Sequence, residues 1–189
     1  NNNGSLIVDT VENTEALLVY GAKTDTLLLY RFWDGSAWGS QTNGPDVGGE
    51  IYWAESSAGI TRDEYVAVTL TSDGDVNALV YSASTSSWGN QNEFETAVNT
   101  PSRRGIAVAH ESISGDAMVV SCGAGADPVY TVWNGVSWSA TGTINMASTN
   151  NCNWLTIAAD PTSDEMIVIS KGLADSYEAQ VWDGSTWSN

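Results

Sequence analysis

Four copies of one short motif recur along the chain at a nearly constant step. Phe32-Trp33-Asp34-Gly35-Ser36-Ala37-Trp38, Val132-Trp133-Asn134-Gly135-Val136-Ser137-Trp138 and Val181-Trp182-Asp183-Gly184-Ser185-Thr186-Trp187 are plainly related. A degenerate copy runs from Val80-Tyr81 to Trp88. The closing residues Trp38, Trp88, Trp138 and Trp187 stand 50, 50 and 49 positions apart. Such a period describes an array of equal units, each too small to bury a core alone and each leaning on the next. The expected organisation is a single domain over residues 1–189, with repeat units at about 1–40, 41–90, 91–140 and 141–189.

Within each unit the apolar residues come in short runs. Leu17-Leu18-Val19-Tyr20, Tyr65-Val66-Ala67-Val68, Ala117-Met118-Val119-Val120 and Met166-Ile167-Val168-Ile169 keep the register of the motif. Upstream of each lies another run: Leu6-Ile7-Val8, Ile51-Tyr52-Trp53, Ile106-Ala107-Val108 and Trp154-Leu155-Thr156-Ile157. Short, β-branched and bounded by Gly, Asp, Asn and Ser, these runs predict strands. No apolar spacing of helical period is sustained along the chain. Each unit then reads as four antiparallel strands, with the first Trp on the third and the second Trp opening the fourth. Asp-Gly and Asn-Gly are hairpin dipeptides, because Gly accepts a positive φ and Asp or Asn tolerates it. The two Trp of a hairpin are expected to face each other, a pair worth roughly 0.2–1 kcal/mol and more if a neighbouring sheet covers it. In the second unit Tyr81 takes the first position, and the two extra residues before Trp88 preserve which face each side chain points to.

A four-stranded repeat of about 40–50 residues is the signature of a β-propeller blade. Over nearly its whole length the chain resembles propeller repeat proteins of the secreted microbial type, through its Trp-Asp-Gly-x-x-Trp hairpins. It is more distantly similar to kelch, Asp-box and hemopexin-type propellers. It lacks the double Gly of kelch and the Asp-x-Gly-x-x-Trp spacing of the Asp box, and matches hemopexin in unit size alone. The resemblance implies an all-β propeller of four blades, each of four antiparallel strands, and transfers no functional residue. Only Ser188 and Asn189 follow Trp187. The last blade is therefore expected to be completed by another strand or subunit, with self-association through that edge.

Composition narrows the function. Six Lys and Arg stand against 23 Asp and Glu, a net charge of −17. Nucleic acid and anionic membrane surfaces both call for basic residues, so neither is an expected partner. No apolar stretch approaches the roughly 18 residues of a membrane span, so no membrane insertion is expected. Cys122 ends the second strand of the third unit, and Cys152 immediately precedes the first strand of the fourth. Antiparallel pairing brings those two ends to the same face of adjacent blades, which predicts a disulfide; the alternative is two buried free thiols. A disulfide belongs to an oxidising compartment, so a secreted, extracellular or cell-surface location is expected.

Catalytic constellations are not evident. His110 is the single histidine, which excludes a multi-histidine zinc site, and no Gly-x-Ser-x-Gly occurs. Acidic residues cluster in turns such as Asp63-Glu64 and Asp164-Glu165, as a solvated face does. No enzyme activity is expected. Asp73, Asp75 and Asn77 alternate as in calcium loops but lack the later Gly and Glu of an EF-hand. They are a calcium candidate against the plainer reading of a polar turn; no other cofactor is implied. The hairpin residues Trp33, Asp34, Gly35, Trp38, Trp88, Trp133, Asn134, Gly135, Trp138, Trp182, Asp183, Gly184 and Trp187 are expected to be structural, because they recur in equivalent places. Trp53 and Trp154 lie on first strands, nearest any central channel, and are the tryptophans expected to face a ligand. Arg103-Arg104 is the one adjacent basic pair, expected in a surface turn after Pro101 and suited to a partner's carboxylates. The function expected is a non-enzymatic extracellular structural or adhesive protein, a subunit of a surface assembly or filament. The alternative is a carbohydrate-binding, lectin-like propeller module with glycans as partners.

Overall fold

The computed structural model describes residues 4–8, 15–22, 24–125, 127–146, 151–172 and 176–188, with only the backbone considered for 4–8. Among these residues there are strands and turns and no helix. None is therefore long and apolar enough to cross a membrane, which says nothing of strands.

Four antiparallel sheets follow one another along the chain. The first contains β1 (Gly4–Val8), β2 (Glu15–Tyr20), β3 (Leu27–Asp34) and β4 (Thr42–Asp46). The second contains β5 (Ile51–Ala58), β6 (Glu64–Thr71), β7 (Val76–Ser82) and β8 (Ser87–Glu95). The third contains β9 (Ile106–His110), β10 (Ala117–Cys122), β11 (Pro128–Trp133) and β12 (Gly142–Thr143). The fourth has three strands among the described residues, β13 (Cys152–Ala159), β14 (Met166–Gly172) and β15 (Tyr177–Trp182). Sheet boundaries fall a few residues after 40, 90 and 140, because the strand beyond each second Trp is the outermost strand of its own sheet. That outer strand also differs from the expectation. In the second sheet it runs unbroken through Trp88, whereas Trp38 and Trp138 make isolated bridges and the strand resumes at Thr42 and Gly142.

The first strands β1, β5, β9 and β13 pack side by side in chain order. Among the described residues β1 and β13 do not pack on each other in the same way, so the four sheets form an open fan rather than a closed propeller. The core lies between the sheets, and strand alternation divides it. On β6, Tyr65 and Ala67 join Leu17, Val19 and Leu28 of the first sheet, while Val66, Val68 and Leu70 join Ile106, Val119 and Val120 of the third. Sheets sandwiched in this way are buried on both faces, which is why β10 is a continuous buried run. Strand β15, last in the fan, alternates between exposed and covered positions instead.

The disulfide joins Cys122 at the end of β10 to Cys152 at the start of β13, with a Cα–Cα separation of 5.2 Å. It ties the third sheet to the fourth.

Candidate functional site

Each hairpin is built from its own sequence. The Asp34 carboxylate accepts the backbone N–H groups of Ser36 and Ala37, and Asp183 accepts those of Ser185 and Thr186. Asn134 does the same for Val136 and Ser137. Hydrogen bonds from the Thr186 and Ser185 backbone and side chains pull the Asp183 carboxyl down to about 2. Gly35, Gly135 and Gly184 follow with φ of 93°, 87° and 92°, the left-handed region where a side chain is strained. The chain turns back so that Trp33–Trp38, Trp133–Trp138 and Trp182–Trp187 meet with ring centroids 5.6, 5.3 and 5.4 Å apart. Tyr81 and Trp88 stand 5.2 Å apart in the same place.

These aromatic pairs are clasps between sheets. Tyr30 of β3 meets Trp88 edge-to-face at 5.6 Å, and Tyr130 of β11 meets Trp187 in the same way at 5.4 Å. The Trp133 indole N–H donates to the Glu64 carboxylate at 3.2 Å, and the Trp182 indole N–H to Glu111 at 2.7 Å. Both acceptors sit on the preceding sheet, and both Trp are buried, at 2 % and 9 % exposure. Trp38, in the first sheet, is 40 % exposed. Arg62 reinforces the second boundary: it pairs with Glu64 and with Asp116 of the third sheet, and donates to the Gly115 carbonyl. Glu64, expected in a solvated acidic turn, is instead a largely buried β6 residue at this boundary. Sequence reasoning also missed Glu111 and Arg62, because their cross-sheet partners are about fifty to seventy residues away.

His110 and the acidic loop carry no such constellation. His110 closes β9, with Nδ1 2.9 Å from the Ser57 hydroxyl and Nε2 buried without a partner among the described residues. Burial, with the Arg62 cation nearby, lowers it to about 3, so the ring is neutral. The Asn77 amide donates to the Val47 carbonyl and accepts from Gln91. Asn77 is thus a buried strand residue engaged with its neighbours and does not join Asp73 and Asp75 in a cation cradle. The described residues contain no group of three or more His, Cys, Asp or Glu able to hold a metal ion.

Trp53 and Trp154 do come together, as walls of one cavity of about 470 Å³. Trp53 belongs to the second sheet; Asn153, Trp154 and Lys171 to the fourth; Ser102, Arg103 and Arg104 come from the turn that leads into β9. The two Trp are equivalent residues. Each follows a register shift on its first strand, and they pair with Leu70 and Lys171 respectively. The corresponding place in the third sheet is Gly105, whose carbonyl accepts the Cys122 N–H at 2.8 Å. A Cβ there would stand 3.1 Å from the Cys122 sulfur, so glycine makes room for the disulfide. The absence of a third large side chain at that level leaves the gap between the two Trp.

The floor and rim of the gap are polar. Arg104 pairs through Nε with Glu55. Burial pushes the Glu55 carboxyl up while the hydrogen bond and charge of Arg104 draw it back. Lys171 lies over the Tyr177 ring at 5.9 Å from its centroid. Arg103 is exposed and forms no ion pair among the described residues. The Trp53 indole N–H is buried with no acceptor among them. The volume lies within the roughly 300–1,000 Å³ of small-molecule sites, and aromatic walls with a few convergent polar groups suit a ring bearing hydroxyl groups. The adjacent basic pair was the sequence signal for the rim; that it sits between the two Trp was not legible.

No family model and no curated protein matches the sequence. The fold, however, is that of solved β-propellers. A fungal lectin from Aleuria aurantia, described as a six-bladed β-propeller with a novel mode of fucose recognition, is 14 % identical with a TM-score of 0.64. It matches 100 % of this chain and 60 % of its own. The lectin SapL1, solved with alpha methyl fucoside, is 16 % identical over 99 % of this chain and 63 % of its own, with a TM-score of 0.65. A leech intramolecular trans-sialidase is 11 % identical over 93 % of this chain and 30 % of its own, with a TM-score of 0.57. The chain thus spans less than two thirds of the length of these propellers.

Proposed function

We infer that the protein binds carbohydrate without transforming it, at the cavity between Trp53 and Trp154. The observation that carries this reading is the pair of equivalent Trp walls, with glycine at the corresponding place between them and donors at the rim. Indole faces bury the apolar C–H face of a sugar, and Arg, Lys and Asn donors orient its oxygens. Likeness to structures described as fucose-binding or fucose-complexed lectins supports this reading over a filament subunit. The whole chain acts as one domain in this proposal. A secreted or surface location agrees with the disulfide.

Titration of intrinsic Trp fluorescence with a panel of mono- and disaccharides tests the reading. A saturable change that Trp154→Ala abolishes is expected. A protein silent to the whole panel while remaining folded would refute it.

One observation keeps self-association in view. Ile167 and Val181, on the outward side of the fourth sheet, are each 38 % exposed and border a shallow hollow. We propose that this face meets a second copy. Light scattering that gives a monomer mass at high concentration would remove this part of the proposal.

A further inference from the structure

We propose that the sugar taken by the Trp53–Trp154 cavity is acidic, and that its carboxylate is held by Arg103. This rests on the carbohydrate reading and names its ligand class.

Charge distribution is the first ground. The chain has six Lys and Arg in all, and three of them, Arg103, Arg104 and Lys171, line this one cavity. No Asp or Glu is among the described residues that line it, although the chain carries 23 of them. A protein with a net charge of −17 repels anions over most of its surface. Only a local concentration of cations makes a place where an anion can rest, and this cavity has one.

Internal pairing is the second ground. Arg104 is committed to the fold, since it compensates the largely covered Glu55 across the boundary between the third and second sheets. Lys171 stands over Tyr177. Arg103 is not committed in this way. Its side chain is exposed and forms no ion pair among the described residues, and its backbone alone is engaged, with Thr100 and Gly105. A planar guanidinium at the mouth of an aromatic slot offers paired donors to a carboxylate in the geometry such groups prefer. The neighbouring walls then take the sugar ring, so one ligand satisfies both halves of the site. A neutral sugar would use the walls and leave Arg103 without a counter-charge.

The test is a Trp-fluorescence titration of the intact protein with digalacturonate, with its neutral counterpart galactobiose and with citrate. Digalacturonate is expected to bind about tenfold or more tightly than galactobiose, the usual effect of a charge-assisted contact. The advantage should shrink as salt is raised, because the cation is exposed. Arg103→Gln should bring the two disaccharides to equal affinity without changing the melting temperature. Equal binding of both disaccharides by the native protein, or an uronate preference that survives Arg103→Gln, overturns the inference and leaves the carbohydrate reading standing. Citrate binding as well as digalacturonate, with galactobiose silent, identifies an organic-acid site and overturns it too. Silence towards all three overturns the inference, and the carbohydrate reading is then decided by the wider saccharide panel.

Discussion

At the scale of single residues, the indole nitrogens separate two kinds of Trp that sequence cannot tell apart. Trp182 donates to Glu111 across a sheet boundary, whereas the Trp187 nitrogen is buried with no acceptor among the described residues. Replacing either by Phe removes a similar apolar area. Trp182→Phe also takes a hydrogen bond from a carboxylate that burial already pushes up. Trp182→Phe should therefore cost about 1–2 kcal/mol more than Trp187→Phe in denaturant unfolding, since it alone loses a hydrogen bond, and one to a charged group. His110 supplies a second residue-scale prediction. Its folded value of about 3 lies below the ordinary 6.5 of histidine, so between those limits the unfolded chain binds a proton that the folded protein refuses. This contribution is complete above pH 6.5 and is lost as the pH falls towards 3. The raised Glu111 and Glu55 carboxyls act with the opposite sign at the acid end. Unfolding free energies measured from pH 7 to pH 5 should fall, and His110→Gln should flatten that slope. An unchanged slope in the variant would show that the ring titrates normally.

At the scale of elements, the hairpins were legible because Asp-Gly and Asn-Gly state their geometry locally. Gly184 has φ of 92°, and a Cβ there would also stand 3.2 Å from the Asp164 Cβ. Gly184→Ala should destabilise by about 1–2 kcal/mol through the left-handed backbone alone. Gly89→Ala, with no atom near its added Cβ, should leave the melting temperature almost unchanged. The second hairpin was legible by position only: Ser86 takes φ of 51° there, which its residue type does not announce. The expected pairing of Tyr81 with Trp88 nonetheless holds, since an even insertion keeps the faces. Breaks in the outer strands after Trp38 and Trp138 were not visible. Nor was the role of Asn77, whose amide is engaged by Val47, just beyond β4 of the first sheet, and by Gln91 of β8. One contact reaches the neighbouring sheet and the other the next strand, and an oxygen-rich pattern along one segment cannot show them.

At the scale of the whole molecule, the period tells which sheets are neighbours, while the angle between them depends on packing that no repeat spells out. That is why four sheets were predicted and an open fan was not. The boundary between the third and fourth sheets is the one with a covalent tie, and the tie bears on the candidate site. Cys152 is followed by Asn153 and Trp154, which line the cavity, and the chain of the fourth sheet donates from Leu155 N to the Arg104 carbonyl at 3.4 Å. The bridge closes a loop with a sequence separation of 30, so its loss should destabilise by about 3–4 kcal/mol through the freedom returned to the unfolded chain. The native protein should show no alkylatable thiol by intact mass until it is reduced. Reduction, or the paired substitution Cys122→Ser with Cys152→Ser, should lower the melting temperature. It should also weaken saccharide binding at temperatures where the protein is still folded, because the Trp154 wall is no longer held against the turn that carries Arg103. Stability lost with affinity unchanged would confine the bridge to holding the sheets together. Two free thiols in the unreduced native protein would deny the bridge altogether.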